Sequence, residues 1–152
     1  MIKKKFIQIF LILFLLTSCG YSPIYSNKNI NFSILDLKTS GNNMLNQIIE
    51  NRLKSYKNSN AEKKYNLMVD TNVEKIIVSK DTKGNPKIFR IILKSKIQVS
   101  DPDGTTKEKS FSKSIDYNNK SKKSELKNYE NEVTKNLAEK ISEEIIIYLV
   151  SS

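Results

Sequence analysis

Apolar and polar residues alternate with two different periods along this chain, and the changes of period mark its elements. Ile30, Phe32 and Ile34 alternate with polar neighbours, as in a strand with one buried face, and the pattern predicts a strand to about Lys38. Leu35 and Leu37 fall out of phase, which points to a bulge or to two-sided burial near Asp36. The cluster Thr39-Ser40-Gly41-Asn42-Asn43 supplies turn and N-cap chemistry. Leu45, Ile48, Ile49, Leu53 and Tyr56 then share one helical face, predicting a helix over Asn43 to Lys57. Tyr65, Leu67, Val69, Thr71 and Val73 alternate strictly, and the apolar pattern continues through Ile76, Ile77 and Val78. Beyond a turn at Asp81 to Pro86, Phe89, Ile91, Leu93, Ile97 and Val99 take one face of a third strand, and Arg90, Lys94, Lys96 and Gln98 the other. Asp101-Pro102-Asp103-Gly104 is a hairpin turn, followed by a fourth strand from Thr105 to about Tyr117, with Phe111, Ile115 and Tyr117 on one side. From Ser124 onward Leu126, Tyr129, Val133, Leu137, Ile141, Ile145 and Tyr148 recur at spacings of three and four, an amphipathic helix whose last turns are apolar all round.

Each helix has one apolar stripe and the strands alternate, so the economical architecture is an α+β, two-layer sandwich. Two helices pack on one face of a four-stranded mixed sheet, in the order β-α-β-β-β-α. The last three strands are antiparallel neighbours, and the helical crossover lets the first strand lie parallel to its neighbour. The sheet's other face would show Arg90, Lys94 and Lys96 to water or to a partner.

The first residues obey different rules. Lys3, Lys4 and Lys5 precede an apolar run from Phe6 to Leu16, broken only by Gln8, and Leu16-Thr17-Ser18-Cys19 follows. A cationic start, a short apolar run and small residues before a cut make a signal peptide, and the run is shorter than the ~20 residues that span a bilayer. Leu-Thr-Ser-Cys resembles the bacterial lipobox, in which the Cys is acylated and becomes the first mature residue. The expected organisation is a lipoprotein signal peptide at 1–18, a lipidated tether at 19–29 starting at Cys19, and a single domain at 30–152. Several acyl chains, each contributing ~0.8 kcal/mol per buried methylene, would hold the chain to a membrane. Gly20, by resemblance to the lipoprotein sorting rule in which Asp at this position favours the inner membrane, points to the outer membrane, with the domain facing the periplasm.

Composition narrows the chemistry. The 152 residues include no His, no Trp and one Cys, which removes the commonest general base, the commonest metal ligand and any internal disulfide. No Ser sits in a nucleophile elbow, there is no P-loop or dinucleotide fingerprint, and Gly occurs only four times. The expectation is a protein that is not an enzyme, with no metal and no cofactor.

Lys+Arg number 26 against 16 Asp+Glu, but Arg occurs only twice, whereas Lys, Asn and Ile, which share A- and T-rich codons, make up 61 residues. Nucleotide bias thus accounts for part of the basicity, and an exported, tethered chain has little occasion to meet nucleic acid. The uneven distribution carries more weight: residues 80–127 hold 13 basic against 6 acidic side chains. Two readings of this stretch stay open, a solvated face rich in lysine and a surface for anionic groups. The candidate anion-binding residues are Arg90, Lys94 and Lys96 on one strand, with Lys107 and Lys109 across the hairpin on the parity of Phe111.

Cys19-Gly20-Tyr21-Ser22-Pro23-Ile24-Tyr25 resembles the mature start of the LPS-assembly lipoprotein family LptE, whose members often read Cys-Gly-aromatic-x-Pro-Leu-Tyr. Here Ile24 replaces the commoner Leu. The element order is also similar to that family's fold of two helices on a four-stranded sheet. The resemblance implies a non-enzymatic outer-membrane subunit of the lipopolysaccharide translocon, a plug and assembly partner of the β-barrel LptD that contacts lipopolysaccharide. The alternative is a stand-alone, periplasm-facing lipoprotein that binds or chaperones an anionic lipid or another envelope component.

Overall fold

A computed structural model of the chain describes residues 31–57 and 61–152; the expected signal peptide, Cys19 and the tether lie outside the described residues. The elements are β1 (Phe32–Gly41), α1 (Asn43–Leu53) with a 3₁₀ turn at Lys54–Tyr56, β2 (Lys63–Lys80), β3 (Pro86–Ser100), β4 (Thr106–Asn118) and α2 (Lys123–Ser151). The strands form one mixed sheet in the order β1-β2-β3-β4, with both helices on one face. β1 runs parallel to β2, and β2, β3 and β4 are antiparallel neighbours. The predicted bulge in β1 falls between Ile34 and Asp36 and leaves Leu35 exposed.

Alternation sets the core. Odd-numbered residues from Tyr65 to Val69 and from Phe89 to Val99 turn toward the helices, and Leu93 and Ile97 there, like Leu45, Ile49, Ile141 and Ile145 of the helices, are at 0% exposure. Burial of that kind contributes about 1.5–3 kcal/mol per large aliphatic side chain, so the layers cannot slip by one residue without exposing the whole set. The all-apolar end of α2 is mostly interior: Ile145, Ile146 and Leu149 are buried, while Ile147 and Val150 face out.

Two details shape the outer surface. Asn42 caps α1 by accepting from the Leu45 N–H at 3.2 Å, and β1 ends there, paired with β2 only from Lys63 to Thr71. β2 continues nine residues further paired with β3 alone, so the β2–β3 hairpin outruns the first strand. Because antiparallel strands share ends, the β2–β3 turn and the β4–α2 connection lie together. Asn119 fixes this, its backbone N–H donating to the Lys87 carbonyl at 2.8 Å and its side-chain amide to the Pro86 carbonyl at 2.9 Å.

Candidate functional site

The helix-free face of the sheet carries the even-numbered residues of β2, β3 and β4, and the predicted cations Arg90, Lys94 and Lys96 are among them. None stands free. Arg90 donates from Nε and Nη2 to the two carboxylate oxygens of Asp116 at 2.5 and 2.8 Å, Lys94 Nζ pairs with Glu74 at 2.8 Å, and Lys96 Nζ pairs with Glu108 at 2.8 Å. Lys38 on the same face lies 3.8 Å from Asp36. The fork raises the Arg90 pKa and holds the Asp116 carboxyl below its usual range, each mainly through their shared hydrogen bonds. Register explains the pattern: Arg90 sits directly opposite Asp116, while Lys94 and Lys96 reach Glu74 and Glu108 on the diagonal of the neighbouring strands, cross-strand arrangements that opposite charges favour. With Lys64, and with Asp70 hydrogen-bonded by Ser40, this face holds five cations and five carboxylates. It is polar and nearly neutral, where the sequence suggested a basic face.

The five candidate residues do not form one surface. Lys107 and Lys109 pair with Val99 and Ile97, so they project on the helix side of the sheet. Lys107 borders a recess of about 90 Å³ with Tyr65, Asp101, Thr105 and Tyr148, at the end of the sheet away from the β2–β3 turn. Burial, followed by the nearby Asp101, raises the Tyr65 pKa there.

A denser group of lysines lies at one end of the sheet. Residues 78–88 and 118–123, clamped together by Asn119, hold Lys80, Lys83, Lys87, Lys120, Lys122 and Lys123 against a single acid, Asp81. Asp81 is committed to its own turn: its carboxylate accepts from the N–H groups of Lys83 and Asn85 at 2.9 and 2.8 Å, and the bonds from Asn85 do most to hold it below the usual carboxylate pKa. Lys122 lies 3.2 Å from Glu125, and Lys120 sits 4.7 Å above the Tyr129 ring. Lys80, Lys83, Lys87 and Lys123 have no acidic partner among the described residues. Sequence reasoning passed over this pole because its lysines come from two segments some thirty positions apart. The signal was the meander itself, which brings the second turn and the exit of the fourth strand to one end.

An aromatic platform underlies the pole. Phe89 stacks on Tyr117 at 5.8 Å, Tyr117 meets Tyr129 of α2 at 5.7 Å, and Lys75 Nζ lies 4.1 Å over the Phe89 ring. Glu130 ties these together, accepting from Tyr117 Oη at 2.8 Å and from Lys75 Nζ at 2.5 Å. Burial raises the Tyr117 pKa above its ordinary value, and the bond to Glu130 adds to the rise. The folded state therefore keeps a proton that the unfolded chain surrenders near pH 10. This contribution is complete below that pH and lost as pH climbs through the folded value. Denaturation midpoints of the native chain are thus expected to fall more steeply than those of Tyr117→Phe as pH rises above about 10. Parallel curves would show that the phenol is not held in this way.

The fold is shared with solved lipoproteins. Rare lipoprotein B from Shewanella oneidensis matches with a TM-score of 0.63 at 19% identity, over 78% of this chain and 95% of that one. A minor lipoprotein from Acinetobacter baumannii matches with a TM-score of 0.61 at 12% identity, over 80% and 92%. Lipoprotein B from Nitrosomonas europaea matches with a TM-score of 0.51 at 10% identity, over 82% and 88%. At these identities the likeness is one of fold. No family model and no curated protein matches the sequence.

Proposed function

We propose that this chain is an outer-membrane lipoprotein, tethered through acyl chains on Cys19, that serves as plug and assembly partner of the lipopolysaccharide-transport barrel LptD and meets lipopolysaccharide with its lysine pole. The observation that carries the reading is the sheet face left uncovered among the described residues. A two-layer domain normally hides its sheet's second face only if that face is apolar; this one is polar, with its charges matched in place. Such a surface suits the hydrated, polar lumen of a large barrel. The lipobox-like Leu16-Thr17-Ser18-Cys19 and the Cys-Gly-Tyr-Ser-Pro-Ile-Tyr start support the tether and the family resemblance. The fold shared with bacterial lipoproteins supports the same reading. The lysine pole supplies the anion contact that the paired Arg90, Lys94 and Lys96 do not.

The stand-alone lipid chaperone requires a cavity between sheet and helices wide enough for acyl chains. Leu45, Ile49, Leu93, Ile97, Ile141 and Ile145 occupy that space, each at 0% exposure, which favours the plug.

Capture of the full chain from membranes in mild detergent tests the proposal. The expected result is a roughly equimolar complex with one large outer-membrane barrel, and an intact mass that carries acyl groups on Cys19. Recovery of the chain alone, or with a bare thiol, overturns it.

A further inference from the structure

The end of the hairpin that bears the lysine pole also bears exposed hydrocarbon. Ile76, Ile77 and Val78 are consecutive and stand 43%, 48% and 43% exposed. Two features of the fold put them there. β1 ends at Gly41, opposite Thr71, so nothing flanks this part of β2 on that side among the described residues. The register then shifts between Ile77 and Ser79, and again before Lys80. Ile76 pairs with Arg90 on the helix-free face and Ile77 with Phe89 on the helix side, while Val78 occupies the shift itself. Apolar groups thus point to both sides of the strand, with no layer over either among the described residues. Ordinary edge protection would put lysine or proline at such a place.

We infer that Ile76, Ile77 and Val78 seat the acyl portion of the same phosphorylated lipid whose anionic groups meet Lys80, Lys83 and Lys87. This rests on the lipid contact in the proposed function and names the second half of that site. Spacing supports it. Val78 and Lys80 are two residues apart, about 7 Å along a strand, the scale that separates a lipid phosphate from the first methylenes of its acyl chains. Charge supports it as well: the three lysines have no acidic partner among the described residues, and their stems can lie along hydrocarbon while the ammonium groups stay in water. A soluble phosphate would satisfy the lysines and leave the apolar run in water; an intact lipid satisfies both.

The chain contains no Trp, so the full chain carrying Ile77→Trp reports on this position alone. The probes are lipopolysaccharide and its fully deacylated, phosphate-bearing form. The expected result is a blue shift of the emission with the first probe and none with the second. The paired change Ile76→Thr with Val78→Thr keeps β-forming side chains and is expected to weaken lipopolysaccharide binding about tenfold, with binding of the deacylated form unchanged. Equal emission with both probes, or undiminished binding by the threonine pair, overturns the acyl site while leaving the phosphate contact standing. Failure of the native chain to bind either probe would remove both the phosphate contact and the acyl site.

Discussion

Reversing charge at Lys80, Lys83 and Lys87 together, each to Glu, is expected to weaken binding of lipopolysaccharide by the full chain about 100-fold or more. Exposed ion pairs contribute about 0.2–1 kcal/mol each, and charge-assisted hydrogen bonds to phosphate somewhat more. Reversal replaces each attraction by a repulsion of similar size, so three sites together reach about 3 kcal/mol. The comparison that gives this result meaning is Arg90→Gln, Lys94→Gln and Lys96→Gln, whose side chains already hold Asp116, Glu74 and Glu108. Those three changes lower the net charge by three, half of what the reversals do, and are expected to alter binding only a few-fold. Titration by calorimetry at low and raised salt measures both variants, and the native affinity should fall with salt because exposed charges are screened over about 10 Å at 0.1 M. Similar losses in the two variants would mean that net charge, and not the pole, attracts the lipid.

The difference between those two sets of cations shows what a strand pattern reveals and what it withholds. Alternation correctly put Arg90, Lys94 and Lys96 on one face, because parity follows from a residue's own strand. Whether a cation on that face is free depends on the residue opposite, which depends on the register between strands. The turn at Asp101 to Gly104 fixes that register for β3 and β4, setting Arg90 opposite Asp116 and Lys96 diagonally across from Glu108, which itself pairs with Gln98. The same parity sent Lys107 and Lys109 to the helix side with Phe111. The fold was legible almost throughout, since a two-residue period, a helical period and Gly- or Asn-containing turns are local signals. The pole was not local. Its two halves meet only once strand direction is known, and Asn119 then bonds Pro86 and Lys87 across the gap. The exposure of Ile76 to Val78 was hidden for a related reason: an apolar run reads as interior until β1 is seen to stop short beside it.

That stop depends on one residue. Replacing Gly41 with Ala is expected to lower the stability of the chain by about 3 kcal/mol, a large part of the 5–15 kcal/mol that holds a typical domain. Gly41 has φ +92°, a conformation that costs an L-residue about 1–3 kcal/mol. A Cβ there would also stand 1.9 Å from the Thr71 carbonyl oxygen, so the β1–α1 junction would have to move away from β2. Movement would strain several bonds at once. Asn42 N–H points to the Thr71 carbonyl at 3.2 Å and to Thr71 Oγ1 at 3.0 Å, and Thr71 Oγ1 donates to Asn46 Oδ1 at 2.7 Å in the buried first turn of α1. Gly84 provides the control. It has a similar φ of +84° but nothing within 4 Å of its would-be Cβ, so Gly84→Ala carries the backbone strain without the collision and is expected to cost about 1–2 kcal/mol. Urea unfolding of the two variants beside the native chain separates the contributions, and equal midpoints for both would show that the approach of Gly41 to Thr71 can relax freely. If the larger loss at Gly41 is found, the close contact that ends β1 is the same feature that leaves Asn72 to Lys80 of β2 projecting beyond it. The reach of the lysine pole, and of the apolar run beside it, would then be set by a glycine at the far side of the sheet.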